Sequence, residues 1–330
     1  MQISNFIFLI IFFSSILLFF YNFKKIYRNI NLGRGGVDSN NKKERWRRVI
    51  FIAFGQSKMF DKPFVAILHL IVYLAFILIN IELIEIVIDG SFGTHRIFSF
   101  LGSFYDFLIG SFEILAFLVL ISVIIFLVRR NVIKIKRFMS SEMKGWPTID
   151  GNLILIFEIL LMLAFLTMNA SDSILQNYYP EKYIDAGYFP VSNLLIVPLI
   201  KNLNSNSLII IERFCWWFHI IGIFGFLNYL AVSKHLHILL AFPSTYYSKL
   251  DLRGKFSNMD SVNKEVKLML EPNADNFSPS NEVNPGNFGA KDVKDLTWLQ
   301  LLNSYSCTEC GRCTSECPAN VTGKKLSPRK

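Results

Sequence analysis

Five long apolar runs constrain the fold of this chain more than any other feature of its sequence. They bring the hydrophobic share of the 330 residues to 52% and cover approximately 3–22, 64–87, 107–128, 153–169 and 208–242. A transmembrane helix needs about 20 mostly apolar residues, and a helix satisfies its own backbone hydrogen bonds in lipid. The sequence therefore predicts an all-α membrane protein whose residues 1–243 form a five-span helical bundle.

Lysine and arginine are unevenly distributed over the connections between these runs. Residues 23–62 hold eleven and residues 129–150 hold six, whereas 89–104 hold one and 170–206 hold two. Positive residues concentrate in cytoplasmic connections. We therefore predict a multi-pass protein of the cytoplasmic (inner) membrane with its N-terminus outside, an uncleaved first span and a cytoplasmic C-terminus. The net charge of +9 follows these loops and indicates contact with lipid, not with nucleic acid.

Four of the five cysteines lie within eleven residues near the C-terminus. Cys307, Cys310, Cys313 and Cys317, followed by Pro318, form the pattern C-x2-C-x2-C-x3-C-P. This run holds 4Fe-4S clusters in bacterial ferredoxins, where the fourth cysteine ligates the other cluster of a pair. Zinc usually takes two separated cysteine pairs, so the pattern favours an iron–sulfur cluster. A partner or a continuation of the chain would supply a second run, unless Cys317 closes a single cluster itself.

The segment between the last apolar run and the cysteines is polar. Residues 244–290 are rich in Asn, Ser, Pro and Glu, which predicts a linker with one short helix near 263–270. An amphipathic stretch over 293–302 leads into the cysteines. We therefore predict that 291–330 form the N-terminal part of a 4Fe-4S ferredoxin-type domain, a short and incomplete cytoplasmic segment.

Histidines within apolar runs are candidates for haem ligands, because a histidine facing lipid is costly. His219 and His237 are eighteen residues apart, which is five full turns if the fifth helix continues to Phe242 and ends at Pro243. They would then share one face about 27 Å apart, whereas His235 would face elsewhere.

Two haem sites follow as expectations. His69 on the second run and His237 on the fifth are candidates for the ligands of a b-type haem near the cytoplasmic side. His95, in an external connection, and His219 are candidates for a second, outer haem. The alternative is that these histidines only hydrogen-bond neighbouring helices.

Other ionisable residues lie in or beside the apolar runs. Arg96 and Arg213 are candidates for contacts to haem propionates, because arginine binds carboxylates well. Structural pairing with acidic neighbours is the favoured role of these charges over a proton relay. Glu113 and Glu158 lie deeper and are candidates for quinone-linked proton uptake, and Cys215 is interpreted as a small buried hydrophobe.

The positions of the histidines along the chain resemble those of a known protein family. One early histidine on the second run and two on the fifth, which ends in SKHLHI, resemble the gamma (cytochrome b) subunit of respiratory nitrate reductase. That family has five spans, an external N-terminus and two b haems between the second and fifth helices. The resemblance implies that His69 and His237 hold the cytoplasmic-side haem and that His219 is one ligand of the outer haem. The family's other outer ligand falls on Ile79, which cannot bind iron, so His95 becomes the candidate.

The cysteine segment extends this resemblance. With the sequence SCTECGRCTSECPAN, the chain is similar to bacterial iron–sulfur oxidoreductases related to heterodisulfide reductase. These proteins join such a membrane domain to a two-cluster ferredoxin and to cysteine-rich catalytic domains. The resemblance implies that the chain continues beyond Lys330 and that the catalytic residues lie there.

These observations indicate an oxidoreductase component that transfers electrons between the quinone pool, through b-type haem, and a cytoplasmic iron–sulfur or cysteine-rich oxidoreductase domain or subunit. The direction of transfer and the terminal substrate stay open. A haem-free membrane anchor that carries an iron–sulfur cluster for a cytoplasmic enzyme is the alternative. A transporter or redox sensor is a weaker one, because transporters break their helices near the midplane and these runs are nearly uninterrupted.

Overall fold

A computed structural model describes residues 3–36, 40–251, 259–270 and 289–328 of the chain. Over these residues the chain is helical and has no strand; one isolated parallel bridge pairs Arg34 with Thr297. Five of the described helices are long and apolar enough to cross a membrane. We call them the first to fifth spans: Ile3–Ile30, Pro63–Phe92, Ser103–Asn131, Trp146–Tyr178 and Ser205–Tyr229, the last continuing as a 3-10 turn over Leu230–Val232. The prediction of a helical chain with five such helices is confirmed.

The first four spans are each longer than the apolar run that predicted them. Hydropathy marks only the part that suits hydrocarbon, whereas the backbone stays helical through polar residues until a cap ends it. The second span begins with Pro63 at its first position, which suits the fixed φ of proline. It ends at Gly93, whose φ of 76° is the left-handed conformation of a helix C-terminus.

Shorter helices connect the spans and continue the chain after them. The described α-helices are Lys42–Arg48, Pro190–Leu195, Val197–Ile200, His237–Tyr246, Asp260–Leu270, Trp298–Tyr305, Arg312–Ser315 and Pro318–Val321, with a π-helical turn at Val49–Phe54. The described 3-10 turns outside the fifth span are Ser57–Met59, Ile97–Leu101, Lys136–Phe138, Ser141–Met143, Lys234–Leu236 and Val293–Asp295. The helix predicted near 263–270 is therefore present, whereas 252–258 and 271–288 of the predicted linker lie outside the described residues.

The chain divides into two compact units, and the first contains 1–23, 58–235 and 308–330. The fourth span is the centre of this unit: half of its most apolar 18-residue window is buried, against 17% for the second span. It packs against the third and fifth spans around Phe112, Phe165 and Cys215. Cys215 is 7% exposed within this core and lies among apolar residues, as its interpretation as a small buried hydrophobe requires.

The first span is held against the second and fifth within the same unit. The ring of Phe8 occupies the space above Gly90, where a Cβ atom would lie 2.7 Å from the ring. Nδ2 of Asn228 donates a hydrogen bond of 2.8 Å to Oγ of Ser15, which donates in turn to the carbonyl of Phe224. Buried polar contacts of this kind fix the register of two apolar helices.

The second unit contains 24–57 and 236–307. The amide of Arg34 donates to the carbonyl of Leu296 at 2.8 Å, and the amide of Trp298 donates to the carbonyl of Arg34 at 3.2 Å. A Cβ atom on Gly33 would lie 2.4 Å from the backbone nitrogen of Trp298, so only glycine permits this close approach. The side chain of Arg45 is 1% exposed in the same unit.

The fifth helix is not continuous to Phe242, and this part of the prediction is wrong. The backbone of Ser233 is extended, with φ −105° and ψ 155°. A separate helix then runs over His237–Tyr246 and contains Pro243 in its interior, so proline does not end it. The five-turn spacing that placed His219 and His237 on one helix face therefore does not apply.

Side-chain acceptors explain the break. The amide of Lys234 donates to Oδ2 of Asp150 at 3.0 Å, and the amide of His235 donates to Oγ of Ser233 at 3.2 Å. Both amides would otherwise donate to carbonyls of the preceding turn. A carboxylate on the fourth span thus ends the fifth.

Candidate functional site

The predicted cysteine ligands follow a short helix and lie on two tight turns. Cys307 comes after the helix Trp298–Tyr305, and its thiol is exposed. The turns that follow use positive φ angles at Glu309 (47°) and Gly311 (70°). The backbone therefore turns sharply between successive cysteines of the run.

The remaining three cysteines belong to residues 308–328. Cys313 is exposed, whereas Cys310 and Cys317 are partly buried, and all are free thiols. The carbonyl of Cys317 accepts from the amide of Val321 at 2.9 Å, which starts the helix Pro318–Val321. Thiolates are the ligands of iron–sulfur clusters, so the donor chemistry of this segment fits such a cluster. Within the described ranges, no three Cys, His, Asp or Glu side chains already converge as a metal site.

The cysteine segment is attached to one end of the bundle at two points. The first is a close backbone contact: a Cβ atom on Gly311 would lie 2.8 Å from the carbonyl oxygen of Arg137, in the connection between the third and fourth spans. The second is ionic: Nζ of Lys234 lies 3.6 Å from a carboxylate oxygen of Glu309, between Cys307 and Cys310. The segment therefore lies at the end of the bundle that carries the basic connection 129–150.

A buried polar network supports the ionic contact. Asp150 is fully buried at the start of the fourth span and accepts a hydrogen bond of 2.5 Å from the hydroxyl of Tyr229. Nζ of Lys234 lies 3.8 Å from the carboxylate of Asp150 and donates to the carbonyl of Pro147 at 2.7 Å. Burial lowers the pKa of Lys234, an effect that Asp150 and Glu309 oppose. The network joins the fourth and fifth spans to the cysteine segment.

Arg137 adds a second positive charge beside the cysteines. Burial lowers the pKa of its guanidinium, the nearby Arg312 lowers it further, and Cys310 opposes both. Its Nε atom is buried and has no hydrogen-bond partner among the described residues. A positive charge near a cysteine favours the thiolate, which is the form that binds metal.

His219 is the most firmly positioned of the candidate haem ligands. It is 4% exposed on the fifth span, and its Nδ1 lies 3.1 Å from the carbonyl oxygen of Leu161 on the fourth. Because a carbonyl only accepts, Nδ1 carries the proton and Nε2 keeps its lone pair. Metal-bound histidines commonly donate their other ring nitrogen in this way, so this side chain fits a ligand role.

The other histidines lie in different settings. His69 is partly buried on the second span, and His237 is the first residue of the helix His237–Tyr246. The ring of His235 packs edge-on against Phe226, with 5.3 Å between ring centroids. Ile79, which stands where the resembled family has a ligand, packs against the apolar core.

A cavity of about 550 Å³ lies at the other end of the bundle. Asp172 lines it, 22 residues after Asp150 on the same helix, which is about 33 Å along the axis. His95, Arg96 and Arg213 also line this cavity, whereas His219 is not among its lining residues. Burial lowers the pKa of His95 to about 4, so its ring is neutral at physiological pH.

The two arginines proposed for haem propionates are already paired with carboxylates. Nη2 of Arg96 lies 2.6 Å from Oδ2 of Asp172, and both side chains are buried. Arg213 forms a bidentate pair with the adjacent Glu212. These contacts are the structural pairing that the sequence favoured.

Two membrane-embedded glutamates differ in their surroundings. Glu113 is fully buried and accepts from the amides of Val191 and Ser192, at 3.0 and 3.2 Å, and from Asn169. It therefore caps the helix Pro190–Leu195, a structural role that explains its depth. Glu158 does not line the cavity.

Sequence reasoning did not identify Asp150, Asp172 or Lys234 as partners in these networks. The only available signal was the position of each charge at the end of an apolar run. Their partners lie 76 to 84 residues away along the chain in the cases of Arg96–Asp172 and Asp150–Lys234. Such pairs become visible only when the helices are packed.

Two known proteins that are similar to nearly the whole chain are named as oxidoreductases. The chain is 28% identical over 325 residues to the probable iron-sulfur-binding oxidoreductase FadF of Bacillus subtilis (strain 168), a match that covers 98% of this chain and 41% of the relative. It is 24% identical over 325 residues to the EtfAB:quinone oxidoreductase of Syntrophomonas wolfei subsp. wolfei, covering 94% and 40%. The chain therefore spans about two fifths of the length of these relatives.

A shorter match adds a membrane-anchored relative. Over 42 residues, 13% of this chain and 6% of the relative, the chain is 45% identical to a probable membrane-anchored ferredoxin of Chromohalobacter salexigens. No protein-family model and no solved structure matches the chain. Together with the five apolar helices, these similarities support a membrane-anchored electron-transfer component of the iron–sulfur oxidoreductase type.

Proposed function

We propose that this chain transfers electrons between the quinone pool and a cytoplasmic iron–sulfur oxidoreductase, through b-type haem and a 4Fe-4S cluster. One relative is named for EtfAB and quinone, and another for iron–sulfur binding, which supports these two ends of the path. We further propose an arrangement like that of the nitrate reductase gamma subunit, joined to a protein related to heterodisulfide reductase. The terminal chemistry would then take place on a cysteine-rich domain or subunit beyond these 330 residues.

The attachment of the cysteine segment to the bundle is the observation that carries this proposal. Gly311 lies against Arg137, and Glu309 pairs with Lys234, at the end of the bundle that carries the basic connection 129–150. If positive connections are cytoplasmic, the cysteines lie at the cytoplasmic surface of the membrane and the N-terminus lies outside. A soluble redox partner could reach them there.

Cys307, Cys310 and Cys313 are the proposed ligands of the cluster, and Cys317 ligates either the same cluster or a second one. A bound cluster supplies one-electron redox chemistry. Lys234 and Arg137 would hold the segment in place and offset the negative charge of the thiolates. Cys307 and Cys313 are exposed, which leaves the segment accessible to a partner.

His69 and His237 are the proposed ligands of the cytoplasmic-side haem, and His95 and His219 of the outer one. A bound haem supplies a second one-electron centre within the bundle. The contact between His219 and the carbonyl of Leu161 supports this proposal, because it leaves Nε2 available for iron.

A reduced-minus-oxidised visible spectrum of the purified chain, with haem and iron quantified, tests this function. One or two b haems per chain together with cluster iron would support electron transfer through the bundle. Iron without haem would contradict the haem assignment and favour the alternative, a haem-free membrane anchor that carries a cluster for a cytoplasmic enzyme.

A further inference from the structure

The cavity of about 550 Å³ at the end of the bundle away from the cysteines contains hydrogen-bond acceptors that lack donors. Oε2 of Glu82 and Oδ1 of Asp172 are buried and accept no hydrogen bond from the described residues. Glu82 is 4% exposed as a residue, and Asp172 is 3% exposed. A buried acceptor without a donor costs roughly 1–3 kcal/mol, so these atoms favour a proton or a water molecule in the cavity.

Two other carboxylates of the second span that line the cavity have hydrogen-bond donors. Glu85 accepts from the amide of Phe98 and the hydroxyl of Tyr105, both at 2.8 Å. Asp89 accepts from the amide of Arg96 at 2.6 Å and from the hydroxyl of Thr94. These carboxylates are fixed by the fold, which distinguishes them from Glu82.

The carboxylate of Asp172 lies beside two other side chains. Its Oδ2 atom binds Arg96, and its Oδ1 atom lies 3.9 Å from Nε2 of the neutral His95. Asp172 is therefore held in an ion pair with Arg96. Among the described residues Glu82 forms no comparable ion pair, so it is the buried carboxyl group of this cavity that can change its protonation state with the least disruption of the fold.

Glu82 lies between the apolar interior of the bundle and the solvent-exposed residues of the cavity. It precedes Asp89 by seven residues on the second span, which is about 10 Å deeper along the helix. The cavity is also lined by Glu181 and Lys182, which are both exposed to solvent. The rings of Phe8 and Trp216 border the same cavity. A carboxyl group at this position can exchange a proton with external water.

We propose that Glu82 is the proton-exchange residue of this protein and that the cavity is its route to the external side. This inference rests on the proposed function. Glu82 takes up one proton for each of the two electrons that a quinol passes to the b-type haem, and it releases each proton through the cavity. The quinol is oxidised to the quinone, with two electrons and two protons leaving it; in the opposite direction Glu82 donates the same protons.

Infrared redox difference spectroscopy of the full chain in lipid vesicles, driven electrochemically, tests the proposal. We expect a carboxyl carbonyl band that changes with redox state and shifts in heavy water. Glu82→Gln should remove this band and slow proton release at the external face at least tenfold. Glu82→Asp should shift the band without removing it, and Glu158→Gln should leave it unchanged.

The controls separate this proposal from the function on which it rests. The visible haem spectrum is recorded in the same cell and shows whether each variant is folded and loaded. A redox-linked carboxyl band that persists in Glu82→Gln, or that disappears in Glu158→Gln instead, would overturn the role of Glu82 and leave the electron-transfer function intact. A wild-type chain without any redox-linked absorbance change would overturn both.

Discussion

Nζ of Lys234 lies 3.6 Å from Oε2 of Glu309 and 3.8 Å from Oδ2 of Asp150. One ammonium group at the end of the fifth span thus joins a buried carboxylate of the fourth span to a carboxylate within the cysteine run. The side chain of Lys234 is 12% exposed, so solvent screens these contacts little. This contact links the position of the cysteine segment to the packing of the membrane helices.

Replacement of Lys234 should therefore change the redox properties of the cluster. We expect Lys234→Met to lower the midpoint potential of the cluster, because a positive charge beside its ligand loop is lost. The change should also destabilise the protein by about 3 kcal/mol, because the buried carboxylate of Asp150 loses its counter-charge and the carbonyl of Pro147 loses its donor. A redox titration followed by electron paramagnetic resonance measures the potential. Lys234→Arg and the exposed Lys201→Met should behave like the wild type, and an unchanged potential in Lys234→Met would contradict the account.

The cysteines offer a direct test of the cluster. We expect Cys310→Ser to lose the iron–sulfur absorbance and most of the protein-bound iron, because a hydroxyl is a poor substitute for a thiolate ligand. Iron and acid-labile sulfide per chain are the measurements. Cys215→Ser is the matched control, since Cys215 lies in the apolar core, and it should keep its iron. Equal iron loss in both variants would count against a cluster at Cys310.

The proposed haem ligands predict different results for substitutions of His235 and His237. We expect His237→Leu to reduce the b-type absorbance by at least half, whereas His235→Leu should retain it because His235 packs against Phe226. The reduced-minus-oxidised spectrum and a pyridine haemochrome count measure this difference. A spectrum unchanged in His237→Leu and in His69→Leu would favour the haem-free anchor.

A substitution of Arg45 tests the packing of the second compact unit independently of any cofactor. Its side chain is 1% exposed and donates to the carbonyls of Asn40, Tyr246 and Ser248, at 2.8, 2.9 and 3.2 Å. We expect Arg45→Met to lower the free energy of unfolding by about 3 kcal/mol, because these carbonyls lose their donors. Thermal unfolding in detergent measures the change. Arg47→Met, at an exposed position, should cost less than about 0.5 kcal/mol, and equal effects would contradict the packing described for Arg45.

The sequence was sufficient to predict the spans because their signal is local. An apolar run of about 20 residues specifies a membrane helix whatever it packs against. The cysteine run is equally local, since ligand type and spacing lie within eleven residues. The interpretation of Cys215 as a buried hydrophobe also needed only its apolar neighbours.

The break at Ser233 could not be predicted in the same way. It depends on Asp150, which captures the amide of Lys234 from another helix, 84 residues away. The pairing of Arg96 with Asp172 likewise joins two residues that are 76 positions apart. Single-sequence reasoning gave Arg96 as a candidate for a haem propionate without naming Asp172, because a sequence shows which charges need partners but not which partners the packing supplies.

In the proposed function, electrons pass between a membrane quinone and the cysteine segment. The most direct measurement mixes the fully reduced chain in lipid vesicles with a quinone and follows the haem absorbance and the resonance signal of the cluster together. The account predicts that both centres are reoxidised by the quinone, and that His237→Leu greatly slows reoxidation of the cluster. Reoxidation that does not depend on quinone, or that proceeds at the same rate in a preparation without haem, would contradict it.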